Sequence, residues 1–305
     1  MRVAVTGATG TIGAGLVRAL VEHGDQLTAL SRNAERASAT LGVPAETWAD
    51  PKAEQPPLDA LRGRDAVVHL LGEQIAQRWS DEAKREIRDS RILSTRNLVS
   101  ALDELDPAER PRVLVSGSGA GWYGQRGDER LDESTAEPGD DFLAQLSADW
   151  EAEARRAEDL GVRVVVNRTG VVLSESGGAL EKMLPFFKAG IGGPVAGGRQ
   201  YVPWVHLDDV VGATIFALEN EAARGPVNVT APEPVTNKNL STTLGRVLRR
   251  PAFAPVPGLA AKALYGEMAE IVTTGQRAVP RRLTELGYVF RQPDLEAALR
   301  DATGR

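Results

Sequence analysis

Gly7, Gly10 and Gly13 stand at equal intervals in VAVTGATGTIGAGL (3–16), after a short apolar run and before an amphipathic stretch. Glycine at the first position permits a tight turn. At the second it lets the main chain approach a pyrophosphate, and at the third it lets strand and helix pack closely. The neighbouring N–H groups of Thr9, Thr11 and Ile12, at the positive end of a helix, favour an anion. The pattern reads as a dinucleotide phosphate loop; the plainer alternative is a tight strand–helix turn without a ligand. An NAD site commonly places an acid about 20 residues further on, against the ribose 2′-hydroxyl. Here LTALSRN (27–33) offers Ser31 and Arg32 instead. A guanidinium there pairs with a 2′-phosphate, so the expected cofactor is NADP(H) in preference to NAD(H). The other reading is an exposed loop arginine. Asp50 ends a third run, where it either meets the adenine amine or begins a turn. Leu70, Leu71 and Gly72 end a fourth, where main chain would line the cofactor ribose.

A second set of charges lies in 73–91. Lys84, Arg88 and Arg91 are spaced 4 and 3 apart and share one helix face. That face either holds an anionic ligand or pairs with Asp81, Glu82 and Glu86. Glu73, Lys84 and Arg91 are therefore substrate candidates. Arg168 and Thr169 end a later strand and point the chain into the cleft. A buried charge at a strand end needs a partner, which a cofactor, a substrate or a structural carboxylate supplies. Gln200 closes a glycine-rich segment (189–200) that reads as a mobile cover, a substrate loop or a plain connector. His206, ahead of Asp208 and Asp209, either contacts the cofactor-facing loops or makes a structural hydrogen bond. There is no cysteine, and the three histidines are far apart, so no metal site is expected.

These residues need a frame that brings strand ends together. Runs at 2–7, 26–31, 45–50, 66–72, 112–118 and 162–170 alternate with helical segments such as 12–24. The runs at 66–71 and 162–166 are apolar almost throughout, as suits strands covered on both faces. The expected fold class is α/β, a Rossmann doubly wound parallel sheet with a smaller C-terminal α/β substrate lobe. Residues 1–174 form the nucleotide-binding domain, with 203–231 returning to it; 175–202 and 232–305 form the lobe. The segment 142–154 reads as a helix with Leu146, Trp150 and Ala154 in the core and Asp149, Glu151 and Glu153 largely solvated.

The 305 residues carry a net charge of −6, which argues against a nucleic-acid partner. No run of about 18 apolar residues suggests a membrane span, and no signal peptide is evident. A cytoplasmic protein, monomer or homodimer, with a small-molecule substrate is expected.

The glycine pattern resembles that of the extended short-chain dehydrogenase/reductases. More specifically, HLLGEQIAQRWSDEAKREIRDSR (69–91), VSGSGAGWYG (115–124), RTGVVLSESGGALEKMLPFF (168–187), GGRQYVPWVHLDD (197–209), GPVNVTAPEPVTN (225–237) and GQRAVPRRLTELGYVF (275–290) resemble the atypical, YfcH-like "epimerase family" branch. The last of these is similar to a C-terminal module of unknown function found in that branch. The resemblance implies an NADP-type Rossmann domain and a sugar-epimerase-like architecture, without a known substrate. In extended members a Ser or Thr after the fifth strand works with a Tyr-x-x-x-Lys on the next helix. Ser118 matches the hydroxyl, with Ser116 second and also a cofactor contact. Leu143 and Ser147 occupy the Tyr and Lys places, so that pair is absent. Tyr123, in a loop where related enzymes turn a tyrosine to the substrate, is the remaining candidate acid; substrate contact and loop packing are its other readings. Two functions follow: an NADP(H)-dependent oxidoreductase or epimerase on a small polar substrate, or a non-catalytic NADP(H)-binding sensor.

Overall fold

The computed structural model describes every residue but Ser176, and Ala260, Ala261, Leu264 and Tyr265 by their main chain alone. Its centre is a parallel sheet of seven strands. Their order is Gly225–Val229, Arg163–Thr169, Val113–Gly119, Ala66–His69, Arg2–Thr6, Gln26–Ser31 and Ala45–Thr47. The strand order reverses between Arg2–Thr6 and Ala66–His69, the crevice where open α/β sheets take ligands.

The near-continuous apolar runs follow from burial on both faces. Val3, Val5, Val68, Val113, Val115 and Val165 meet Leu16, Val17 and Leu20 of the Thr11–His23 helix and Val210 and Ala213 of the Leu207–Glu219 helix. The alternate residues Ala4, Leu30, Val67, Leu114 and Val164 meet Leu98, Val99 and Leu102 of the Asp81–Glu104 helix. Each strand therefore buries successive side chains on opposite sides, as the period of two requires.

Local signals set the helix ends. Ser80 and Asp141 accept from the N–H groups of Ala83 and Ala144 and start the Asp81–Glu104 and Phe142–Arg155 helices. Gly24, in the left-handed region, stops the first helix and turns the chain into the second strand. A further apolar cluster joins Leu180, Leu184 and Phe187 of Gly178–Lys188 to Leu240 and Leu244 of Asn237–Leu248 and Leu299 of Leu295–Ala302. Among the described residues, no helix is long and apolar enough to cross a membrane.

Candidate functional site

A cavity of about 460 Å³ opens over the carboxyl ends of the central strands. One end is the phosphate loop. Gly7 has φ +64°, and a Cβ there would lie 2.7 Å from the Leu70 carbonyl carbon. A Cβ on Gly13 would lie 2.2 Å from the Gly7 oxygen, so the loop can close against its helix only with glycine there. No side chain caps the helix at Gly10. Gly7, Gly10, Thr11, Ile12, Gly13 and Leu70 all line the cavity, and Thr9 lies on the outer side of the loop in a second, shallower pocket with Arg18. Shape and donor set fit a dinucleotide pyrophosphate: main chain can approach closely, and a helix of 13 residues directs its positive end there. Ser31 accepts from the Asn33 N–H at 3.3 Å, beside an exposed Arg32 that pairs with no carboxylate among the described residues. Asp50 begins a turn, accepting from the Lys52 N–H at 3.1 Å.

The middle of the wall is Gly117–Gly121, with Thr169, Gly170 and Val171. Ser118 is there, buried, and its hydroxyl donates to Glu151 Oε1 at 2.7 Å. Glu151 in turn takes both arms of Arg168, from Nε and Nη2, each at 2.8 Å. The Arg168 guanidinium stacks on Trp122, Cζ lying 3.5 Å from the ring centroid. Burial opposes the charge on Arg168, but the Glu151 hydrogen bonds hold its pKa above the usual arginine value. Arg168 is thus held by a structural carboxylate, one of the partners a buried charge at that strand end needs, and does not line the cavity. Glu151, expected in solvent, is buried. Its helix packs a second flank, Ala144, Ser147, Glu151 and Ala154, in addition to the Leu146–Trp150 face.

Tyr123 takes the loop-packing arrangement among the three read for it. It is wholly buried, its hydroxyl donates to Asn228 Oδ1 at 2.8 Å, and it does not line the cavity. Burial pushes its phenol up to about 12. So raised, the phenol keeps its proton near neutral pH. Ser116 is fully buried, its hydroxyl spent on the Gly117 carbonyl at 3.3 Å.

The far end is apolar. Phe142, Leu143, Leu146, Trp150, Ile75 and Trp79 line it as one packed cluster, Trp79 lying edge-on to Phe142 at 5.1 Å between ring centroids, and Ile271 joins them from the Glu270–Thr273 helix. Leu143 and Ser147 both line the cavity, so a methyl-bearing chain and a short hydroxyl stand where the resemblance implies phenol and ammonium. Arg91 is on this wall, in cation–π contact with Trp150. The other substrate candidates are elsewhere. Lys84 pairs with Glu267 and Arg88 with Asp149, so two cations of the helix face hold neighbouring elements. Gln200 ties main chain together, donating to Val195 and Val272 carbonyls. His206 caps the Leu207–Glu219 helix by accepting from the Asp208 N–H, with Nε2 3.2 Å from Asp301. Glu73 takes part through its main chain: its carbonyl accepts from Arg91 and its N–H donates to the Ser90 hydroxyl. Leu71 and Gly72 lie off the wall; Gly72 instead makes room for Arg91.

Sequence reasoning passed over Asp141, Gln125, Tyr201, Glu270, Thr274 and Gln276, all on the wall. None carries a spacing signal, because each arrives from a different loop or from the C-terminal segment.

The NAD dependent epimerase/dehydratase family model matches residues 3–230, and a model described as a domain of unknown function (DUF1731) matches 256–302. Epimerase family protein Mb2239 of Mycobacterium bovis is 41% identical over 305 residues, covering 99% of this chain and 98% of that protein. The chloroplastic SDR39U1 homolog of Arabidopsis thaliana is 40% identical over 300 residues, 98% of this chain and 86% of its own. The crystal structure of human epimerase family protein SDR39U1 with NADPH superposes with a TM-score of 0.90 at 35% identity, covering 100% of both chains. With its phosphate loop inside the matched residues 3–230, the chain belongs to the NAD dependent epimerase/dehydratase family.

Proposed function

We propose that this protein binds NADP(H) and uses it in hydride transfer to or from a small polar substrate held under the C-terminal segment. The observation that carries this reading is one continuous cavity joining the phosphate loop to Ser118 and the apolar end. The human relative crystallised with NADPH supports the cofactor, and the free, exposed Arg32 supports the phosphorylated form over NAD(H). Residues 1–174 with 203–231 would hold the dinucleotide, and the remainder would close over the substrate.

When bound, the nicotinamide supplies a hydride acceptor or donor. This chain's own residues must then orient the substrate. Ser118 spends its hydrogen on Glu151, so its oxygen offers lone pairs to the cavity. It is therefore set to accept a hydrogen bond from a substrate hydroxyl, with Arg168 fixing Glu151 behind it. Ser147 and Gln276 complete a polar rim, and Trp150, Leu146 and Ile271 exclude water.

A panel of alcohols with NADP⁺ and carbonyl compounds with NADPH, followed at the nicotinamide absorbance, tests this. Turnover with at least one partner, reduced 100-fold or more in Ser118→Ala, is expected. NADP(H) binding without turnover across the panel favours the sensor reading, which the leucine and serine at 143 and 147 already support.

A further inference from the structure

Arg91 is a cation in the wrong place for a purely structural role. It is 8% exposed, yet it forms no ion pair among the described residues. Nη1 donates to the Ile87 carbonyl at 3.0 Å and Nη2 to the Glu73 carbonyl at 2.9 Å. Both acceptors are neutral main chain, so neither cancels the charge. Nε is buried and has no hydrogen-bond partner among the described residues. The guanidinium lies against Trp150, Cζ 5.3 Å from the ring centroid. Burial draws its pKa down to about 10, with the exposed Glu73 carboxylate pulling the other way, so it stays charged at neutral pH.

The surroundings are built for it. A Cβ on Gly72 would lie 2.7 Å from Arg91 Cζ and 2.9 Å from Nη2, so glycine at 72 leaves the space the guanidinium fills. Arg88 and Lys84, one and two turns away, have carboxylate partners on other elements; Arg91 does not. It is also the one cationic side chain on the cavity wall among the described residues. A desolvated cation that makes no ion pair among the described residues, with the exposed Glu73 carboxylate acting on it only from beyond contact, gains when an anion joins it, and a planar fork suits carboxylate and phosphate oxygens.

We infer that Arg91, seated by Gly72 against Trp150, binds an oxyanion of the molecule that shares this cavity with the dinucleotide. This rests on the proposed cavity function and narrows it: the substrate is a small acid, a carboxylate or phosphate ester, with an apolar body against Trp79, Leu146 and Phe142. The anion docks at the apolar end, and Ser118 receives the hydroxyl.

Calorimetry on the NADP⁺-saturated protein, with oxalate and inorganic phosphate as probes, tests this. At least one probe binds the wild type, and Arg91→Gln weakens it 10-fold or more while NADP⁺ affinity stays within twofold. Gly72→Ala keeps the charge but displaces the guanidinium, and weakens the probe similarly. If Arg91→Gln does not fold, Gly72→Ala and a wild-type crystal soaked in oxalate with NADP⁺ decide, with density on Arg91 expected. Neither probe binding, or equal binding to the variants, overturns the inference. So does loss of NADP⁺ affinity in Arg91→Gln, which would make the oxyanion the dinucleotide's own phosphate. A wild type that takes oxalate at Arg91 but no NADP⁺ refutes the cofactor reading while supporting this anion site.

Discussion

The buried chain Ser118–Glu151–Arg168 sets what single side chains can do here. Removing one partner of a buried ion pair strands the other. Glu151→Gln is therefore expected to cost about 3 kcal/mol, read as a lower urea midpoint with unchanged slope. Stability within about 0.5 kcal/mol of the wild type would show the pair to be solvated. His69 gives a second test. Its ring is fully buried between Thr6 and Thr95, and burial pushes its pKa from 6.5 down to about 3. The folded protein thus keeps it neutral, while the unfolded chain takes up a proton below pH 6.5. Its contribution is full above pH 6.5 and falls by up to about 1.4 kcal/mol per pH unit as pH drops towards 3. The stability gap between wild type and His69→Gln should narrow from pH 7 to pH 5; a constant gap contradicts a neutral buried imidazole. The roles of Glu151 and Tyr123 were not legible in the sequence, because a charge at helical spacing looks solvated and a loop tyrosine looks available. Only the strand ends packed beneath them reveal the burial.

Elements were far more legible than side-chain roles. The strands at 2–6, 26–31, 66–69, 113–119 and 163–169 lie where the apolar runs place them, because both sheet faces are covered and the pattern is dense. The phosphate loop was legible for a steric reason: its glycines are required by main-chain approach, a constraint written at each position. Gly13→Ala would drive a Cβ into the Gly7 carbonyl, where no flexible side chain can yield. It should destabilise by roughly 1–3 kcal/mol and weaken NADP⁺ binding, by thermal unfolding and calorimetry. Gly10→Ala, with its Cβ 3.3 Å from the same oxygen, should be milder. Equal behaviour of the two would contradict the packed loop. The segment 270–276 could not be placed on the cavity from sequence, since its position depends on contacts with residues some 70 positions away, Tyr201 and Gln200.

Across the whole molecule, the C-terminal segment roofs a site that begins at the N-terminus. Glu267 pairs with Lys84, Gln200 donates to the Val272 carbonyl, and Gly275 fits against the Tyr201 main chain so closely that a Cβ would reach 1.9 Å from its oxygen. Met268 packs with Trp79 and Trp150. Ligand at the phosphate loop should therefore be felt some 260 residues later in the chain. Hydrogen exchange at 270–276 is expected to slow on NADP⁺ addition together with that at 7–13. Protection confined to 7–13 would mean that the roof does not close on the occupied site.

The central claim, that this cavity takes a dinucleotide bearing a 2′-phosphate, is tested most directly by calorimetric titration of the wild type and Arg32→Ala with NADP⁺ and NAD⁺. A charge-assisted hydrogen bond is worth about 1.5–3 kcal/mol, so Arg32→Ala should lower NADP⁺ affinity by about 10- to 100-fold and leave NAD⁺ unchanged. Wild-type preference for NAD⁺, or no heat from either nucleotide at millimolar concentration, would contradict it.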